Sequence, residues 1–246
     1  MNRKLFLASS ISSALAACSP IGTALNNNAG FHHFLGSAER LNQALIGTRG
    51  LAREYPESAI SSVYRIDSLP TPTSARYMDL LANDFRGYRL IVDGAVDRKS
   101  TYTLAQLRAM PQQTQITRHD CVEGWSVIGK WSGVRLGDIV AAAQPRADAR
   151  YVVFHCFDRD DQGTQYYESL DLHQAMHPQA LLGLRLNGAD VDADHGAPVR
   201  LRVPTQLGYK SAKWISRIEV VGSFANIEGG HGGYWEDQGY EWYAGI

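Results

Sequence analysis

The sequence predicts an α+β fold in which mixed β-sheets are joined by short helices, and three observations carry that reading. Short apolar strand candidates recur between short helical stretches, without the regular strand–helix alternation of a parallel α/β protein. Val199-Arg200-Leu201-Arg202-Val203 alternates strictly, so its apolar residues face one way and its arginines the other. Leu181 to Leu186 runs into Asn187-Gly188, the strongest short hairpin signal in the chain.

The elements follow in order. Tyr55 to Thr73 is rich in proline and serine and reads as irregular chain on the surface. Tyr88 to Val92 is a strand ending in the Asp93-Gly94 turn. Thr103-Leu104-Ala105-Gln106 has the form of a capping box and starts a short helix through Met110, which Pro111 stops. Leu136, Ile139, Val140 and Ala143 share one face of a second helix. Tyr151 to Cys156 and Gln165 to Ser169 are strands, Asp171 caps a helix through Met176, and Trp214 to Val221 is the last strand. The tail from Gly229 mixes glycine with Tyr234, Trp235, Tyr240, Trp242 and Tyr243, a composition suited to packing over a domain surface.

Composition limits the function. The chain has 246 residues, with 24 basic and 25 acidic side chains and a formal charge of −1, so it lacks the basic excess that nucleic-acid binding requires. At 44% apolar and 20% charged residues it has the makeup of a folded protein. Residues 1–17 read as an export signal, with Arg3 and Lys4 ahead of an apolar stretch too short to span a bilayer. Leu15-Ala16-Ala17-Cys18 resembles a lipobox, which would place a lipid anchor on Cys18, and Ala14-Leu15-Ala16 also fits ordinary cleavage. Asn2-Arg3-Lys4-Leu5-Phe6-Leu7 resembles a weakened twin-arginine signal. Residues 18–50 read as a tether and 51–246 as the working domain.

The body retains Cys121 and Cys156 and no Cys-x-x-Cys pair, so zinc ribbons, thioredoxin-like motifs and attached haem are unsupported. Cys121 lies in His119-Asp120-Cys121-Val122-Glu123-Gly124-Trp125-Ser126. Such a cysteine is a reactive thiol, a soft-metal ligand or half of a disulfide, and the residues alone leave these open. Gly208 to Trp214 sets Lys210 and Lys213 around a turn, with Arg200 upstream. That pattern suits a phosphate cradle or a solvated basic turn.

Taken together and in this order, Cys-Val-Glu-Gly-Trp at 121–125, Gly-Ala-Pro-x-Arg at 196–200 and Gly-Tyr-Lys-Ser-x-Lys at 208–213 resemble the sulfite oxidase superfamily of molybdopterin-binding oxidoreductases. The nearest branch is the small bacterial one that includes the catalytic subunit of periplasmic methionine-sulfoxide reductase. The resemblance runs from about Tyr88 to Val221, with a more divergent stretch from Arg53 to Asp67. It implies a sulfite-oxidase-like fold and one Mo-molybdopterin without a nucleotide. Cys121 would be the catalytic residue and the protein's thiolate to the metal. Arg200 with Ser211, Ala212 and Lys213 would hold the pterin phosphate.

His195 falls where the reductase branch carries asparagine, and Cys156 falls on a threonine position near the cofactor. Tyr64, Arg65 and Asp67 are the candidate N-terminal contacts, while His119 and His155 flank the inferred pocket. A Cys121–Cys156 disulfide and a metal on Cys121 exclude each other.

The reaction implied is oxygen-atom transfer on a small substrate, either S-oxide or N-oxide reduction or a sulfite-type oxidation, with molybdenum cycling between its VI and IV states. An oxyanion would use arginines and lysines, of which Arg118, Lys130 and Arg135 are nearest in sequence. A neutral oxide would use an apolar pocket supplied by Trp125, Trp131 and the tail. Electrons would pass to or from an external protein, such as a membrane haem protein, or a small carrier. The larger relatives' dimerisation domain is not recognised here, so a monomer is expected. The contrasting expectation is a non-catalytic exported binding protein with Cys121–Cys156 as a structural disulfide.

Overall fold

The computed structural model describes residues 50–67, 69 and 71–246, and the export-signal, tether and Cys18 readings lie outside them, Gly50 apart. The described residues belong to one compact unit, 48–246. Helices are α1 (Ala75–Ala82), α2 (Leu104–Ala109), α3 (Leu136–Ala143), α4 (Leu172–Ala175) and α5 (Tyr234–Asp237). Strands are β1 (Arg89–Gly94), β2 (Ser100–Thr103), β3 (Gln113–Asp120), β4 (Ser126–Arg135), β5 (Tyr151–Arg159), β6 (Gln165–Asp171), β7 (Leu181–Leu186), β8 (Ala189–Asp190), β9 (Arg200–Arg202) and β10 (Ile215–Val221).

One sheet runs β2-β1-β10-β5-β6, and the other runs β3-β4-β7-β8 with β9 also on β7. The β1–β10 pair is parallel, while the remaining pairs are antiparallel. A single apolar cluster draws on both sheets, from Leu90, Phe154 and Ile218 on one to Trp131, Leu182 and Leu201 on the other.

Local chemistry sets the boundaries. Thr103 and Gln106 make both bonds of the capping box that opens α2, and Asp171 with Gln174 does the same for α4. Asn187 and Gly188 both have positive φ, 51° and 89°, as a two-residue hairpin between β7 and β8 requires. Two expectations needed extension. The strand starting at Tyr151 continues to Arg159, and the Val199–Val203 alternation has both faces buried, with Arg200 3% and Arg202 0% exposed.

Two connections position the functional region. The β3–β4 hairpin closes through Cys121, whose amide donates to the Trp125 carbonyl at 2.9 Å and whose carbonyl accepts from Gly124 at 3.0 Å. Gly124 sits there at φ +85°, the left-handed conformation that glycine adopts without cost. Alongside, the Leu201 amide donates to the Ala212 carbonyl (2.8 Å), and the Ile215 amide donates to the Val199 carbonyl (3.1 Å). The two family-like motifs at 196–200 and 208–213 are thereby side by side.

Candidate active site

Cys121 is half-buried at the hairpin tip and opens on a cavity of about 220 Å³. The wall is drawn from distant segments: Asp67 and Leu69, the hairpin tip, Tyr166 of β6, the 208–213 turn, and Trp235 and Tyr240 of the tail. Gly208 touches the imidazole beneath: a Cβ there would meet His119 Nε2 at 2.6 Å, so the turn can approach only as glycine. Burial pushes the Cys121 thiol above its ordinary range, opposed by a hydrogen bond from the Glu123 backbone and by Arg200 and reinforced by the Glu123 and Asp67 carboxylates. A soft cation would reverse that balance, since thiolate is the ligating form.

Beneath the cavity lies a floor of basic side chains, of which His119 and Lys213 reach the lining while Arg200 and Arg202 sit close to His119 without lining it. His119 is 2% exposed, and its pKa is held well below the usual value by burial first, then by Arg202, Arg200 and Lys213. Lys213 Nζ donates to Asp67 Oδ1 at 2.6 Å and to the carbonyls of Leu69 (3.1 Å) and Asp194 (3.2 Å). Arg200 sits 3.6 Å from the other Asp67 oxygen and donates to the His195 carbonyl at 3.2 Å. Arg202 donates to Thr117 Oγ1 (3.2 Å) and the Arg118 carbonyl (2.5 Å), and burial lowers its pKa to about 10.

Arg200 Nε, Arg202 Nε and Nη1, and His119 Nδ1 are buried without hydrogen-bond partners. Unsatisfied buried donors on cations are costly, and an anionic, acceptor-rich group is what relieves them. The chemistry of this donor set fits a pterin phosphate, and the thiol above fits a soft metal.

The remaining predicted residues fall into place around this floor. His195 Nδ1 lies 2.7 Å from Asp192 Oδ1 and its Nε2 lies 3.0 Å from the Tyr64 carbonyl, both of them acceptors. Tyr64 is buried edge-on to Trp131 and His195, and Arg65 is exposed over the Trp125 ring at 5.1 Å. Ser211 lines the cavity and accepts from the Val203 amide (3.3 Å), whereas Ala212 is buried beside it. Cys156 is fully buried in β5 and does not line the cavity. Both cysteines are free, so the disulfide of the binding-protein alternative is not formed.

Several sequence expectations require correction. Lys210 is no part of a phosphate cradle or a solvated turn: it is fully buried, with Nζ donating to Glu168 Oε1 and Glu236 Oε1 at 2.5 Å each. His155 lies away from the cavity, bonded to Glu219 at 2.9 Å in a cluster with Arg217. Arg118 pairs with Asp120, Lys130 with Glu57, and neither they nor Arg135 line the cavity. Trp131 is wholly buried and Trp125 lies tilted against His119, so neither lines the cavity; the tail does so through Trp235 and Tyr240, joined by Tyr166 and Tyr209. Sequence reasoning missed Arg202, whose signal was its place in the alternating 199–203 segment.

The family model for the oxidoreductase molybdopterin binding domain matches residues 77–225. A putative protein-methionine-sulfoxide reductase subunit, YedZ1, of Azospira oryzae is 40% identical over 230 residues, covering 91% of this chain and 80% of the relative. The protein-methionine-sulfoxide reductase catalytic subunit MsrP of Ralstonia nicotianae is 38% identical over 144 residues, 54% of this chain and 44% of that protein. Among solved structures, the sulfane dehydrogenase SoxCD of Paracoccus pantotrophus shares the fold, with a TM-score of 0.50 at 21% identity, over 56% of this chain and 39% of that one. This chain thus spans less than half the length of the latter two.

Proposed function

The chain belongs to the oxidoreductase molybdopterin-binding family, and from that premise we propose that this enzyme reduces S-oxides, with methionine sulfoxide in protein as the favoured substrate. The observation that carries the reading is the charge of the cavity. Among the described residues lining it, Lys213 is the one lysine or arginine, and it is already paired with Asp67. Glu123 adds a second carboxylate, and the rest of the wall is largely apolar or aromatic. With the pterin phosphate taking up the spare donors of the floor, a neutral oxide enters the remaining space at less cost than sulfite, whose charge would face the Glu123 and Asp67 carboxylates in a medium of low dielectric. The named relatives are described as a putative subunit and a catalytic subunit of protein-methionine-sulfoxide reductases, which supports the same choice.

Arg200, Lys213, Ser211 and the 211–213 backbone would hold the pterin phosphate, with Arg202 and His119 supplying the remaining donors beneath. Cys121 would ligate the metal. The cofactor, as one Mo-molybdopterin without a nucleotide, would supply two-electron oxygen-atom transfer. Asp67 fixes Lys213 and Arg200 in place, and Gly208 lets the turn reach His119. The overall reaction takes an S-oxide, two electrons and two protons to a thioether and water. The electrons would come from an external protein, a membrane haem protein in our reading. We further place the protein outside the cytoplasm, with 1–17 as its export signal, 18–50 as tether and 51–246 as the catalytic domain. The mass of the mature N-terminus distinguishes a lipid on Cys18 from cleavage after Ala16.

The test is to purify the protein from a cofactor-competent host and measure molybdenum, released pterin and nucleotide, and turnover with a reduced dye as electron donor. About one molybdenum and one pterin per chain, no nucleotide, and sulfoxide reduction exceeding sulfite oxidation are expected. Zinc or no metal, or a preference for sulfite, overturns the reading.

A further inference from the structure

The tail that completes the cavity lies beyond residue 225, outside the span matched by the family domain. Its seating is unusually firm for a surface segment. Glu236 of α5 is 3% exposed and shares Lys210 with Glu168, and all three side chains are sealed from solvent. The Lys210 ammonium also lies 5.3 Å from the Trp242 ring centroid. Tyr167 of β6 donates to Asp237 Oδ2 at 2.7 Å, and Trp242 Nε1 donates to Ser169 Oγ at 2.8 Å. Tyr209 donates to the Glu241 carbonyl at 2.7 Å.

Held this way, Trp235 and Tyr240 present a paired aromatic surface, with centroids 5.4 Å apart and planes 31° from parallel. Tyr209 meets Tyr240 edge-on at 5.3 Å. Across the opening stands Val122, beside Cys121 and 44% exposed, while Tyr240 is 42% exposed. The lining thus offers exposed apolar surface at Val122 and Tyr240, with the exposed Glu123 carboxylate beside Val122.

We propose that residues 233–243, seated by Lys210 on Glu168 and Glu236, are the specificity-determining wall of this enzyme: Trp235 and Tyr240 receive the apolar arm of an alkyl sulfoxide whose S–O group lies toward the Cys121 end of the cavity. The proposal rests on the S-oxide reading above and deepens it. Methyl and methylene groups beside sulfur pack well on aromatic faces and edges, and sulfur itself gains from such contacts. Small oxides with no arm draw little on this wall. A methionine sulfoxide side chain carries methylenes leading out to a peptide, and these are the groups such a wall would receive. Because the wall is anchored in the ground state, its contribution requires no closure on binding.

The experiment compares two substrates on the loaded enzyme: N-acetyl methionine sulfoxide amide, which carries the arm, and dimethyl sulfoxide, which does not. The reading is the ratio of their kcat/KM values in wild type, Trp235→Ala, Tyr240→Ala and the double variant, each checked for molybdenum and pterin content. The ratio is expected to fall about tenfold in the single variants and further in the double, mostly through KM of the longer substrate. A ratio within twofold of wild type in all three variants overturns the wall while leaving sulfoxide reduction standing. A wild type that reduces neither compound overturns the S-oxide reading and the wall with it.

Discussion

Two lysines three residues apart do opposite jobs. On the cavity floor, Lys213 and Arg200 share one carboxylate, Asp67, and both Arg200 and Arg202 keep guanidinium donors without partners. Beneath the tail, Lys210 alone faces two carboxylates, Glu168 and Glu236, each with a second oxygen left unpaired. The floor carries surplus positive charge, which suits the anion proposed for it. The anchor sets two carboxylates against one ammonium, and burial raises the Glu168 pKa well above the usual range. One short motif thus places Lys213 on the proposed phosphate floor and Lys210 under the tail, and their partners, not their burial, tell the two lysines apart.

The largest break in this comparison comes from emptying the floor. Arg200→Ala with Lys213→Ala should lower cofactor affinity by roughly 10²–10⁴, from two charge-assisted contacts of about 1.5–3 kcal/mol each. Molybdenum and pterin per folded chain measure it, and full occupancy after dialysis would place the phosphate elsewhere. The anchor should respond in stability instead. Lys210→Met leaves buried carboxylates without their cation and should cost about 3–5 kcal/mol. Adding Glu168→Gln and Glu236→Gln should recover part of that loss in a denaturant melt. A melting curve for Lys210→Met that matches wild type would show that the anchor contributes no stability.

Asp158 sharpens the comparison through pH. It is 9% exposed, with Oδ1 unpartnered, and burial lifts its pKa to about 7 against the opposing pull of Lys213. A carboxyl whose pKa is higher folded than unfolded binds more protons in the native state. Stability should therefore fall as pH rises from about 4 to about 7, with a slope of at most about 1.4 kcal/mol for each tenfold drop in proton concentration. Asp158→Asn should flatten that slope in the cofactor-free protein; an unchanged slope would assign it to other groups. The smallest effect is expected at Cys156, fully buried in β5. Cys156→Ser should cost about 1 kcal/mol, with activity within a few-fold of wild type; loss of the cofactor would place Cys156 in the binding site.

What could be read from the sequence follows the usual logic of patterns. α2, α4 and the β7–β8 hairpin announced themselves because their signals are local: capping boxes and Asn-Gly. The hairpin that carries the thiol was invisible as structure. β3 turns Gln115, Thr117 and His119 inward, so its buried face is polar. β4 is interrupted by Gly129 and Gly133, where a Cβ would meet the Tyr64 ring at 2.5 Å and the Leu182 carbonyl at 2.0 Å. Neither strand offers the apolar alternation by which strands are recognised. At the site, motif resemblance pointed to Cys121, Arg200 and Lys213. It could not reveal that Asp67 pairs with both cations, or that Lys210 turns away, because those facts depend on segments far apart in the chain.

That distance has a consequence for how the enzyme is made. The thiol's hairpin closes locally between 113 and 135, whereas the floor needs 200–213 beside Asp67 and the wall needs Trp235 and Tyr240. Contacts of such long range form late, since their loop-closure entropy must be met before they stabilise anything. A half-folded chain can display Cys121 yet has no place to grip a phosphate. Tight retention of the cofactor is then a mark of completed folding, and the loaded fraction of a preparation serves as an internal gauge of its quality.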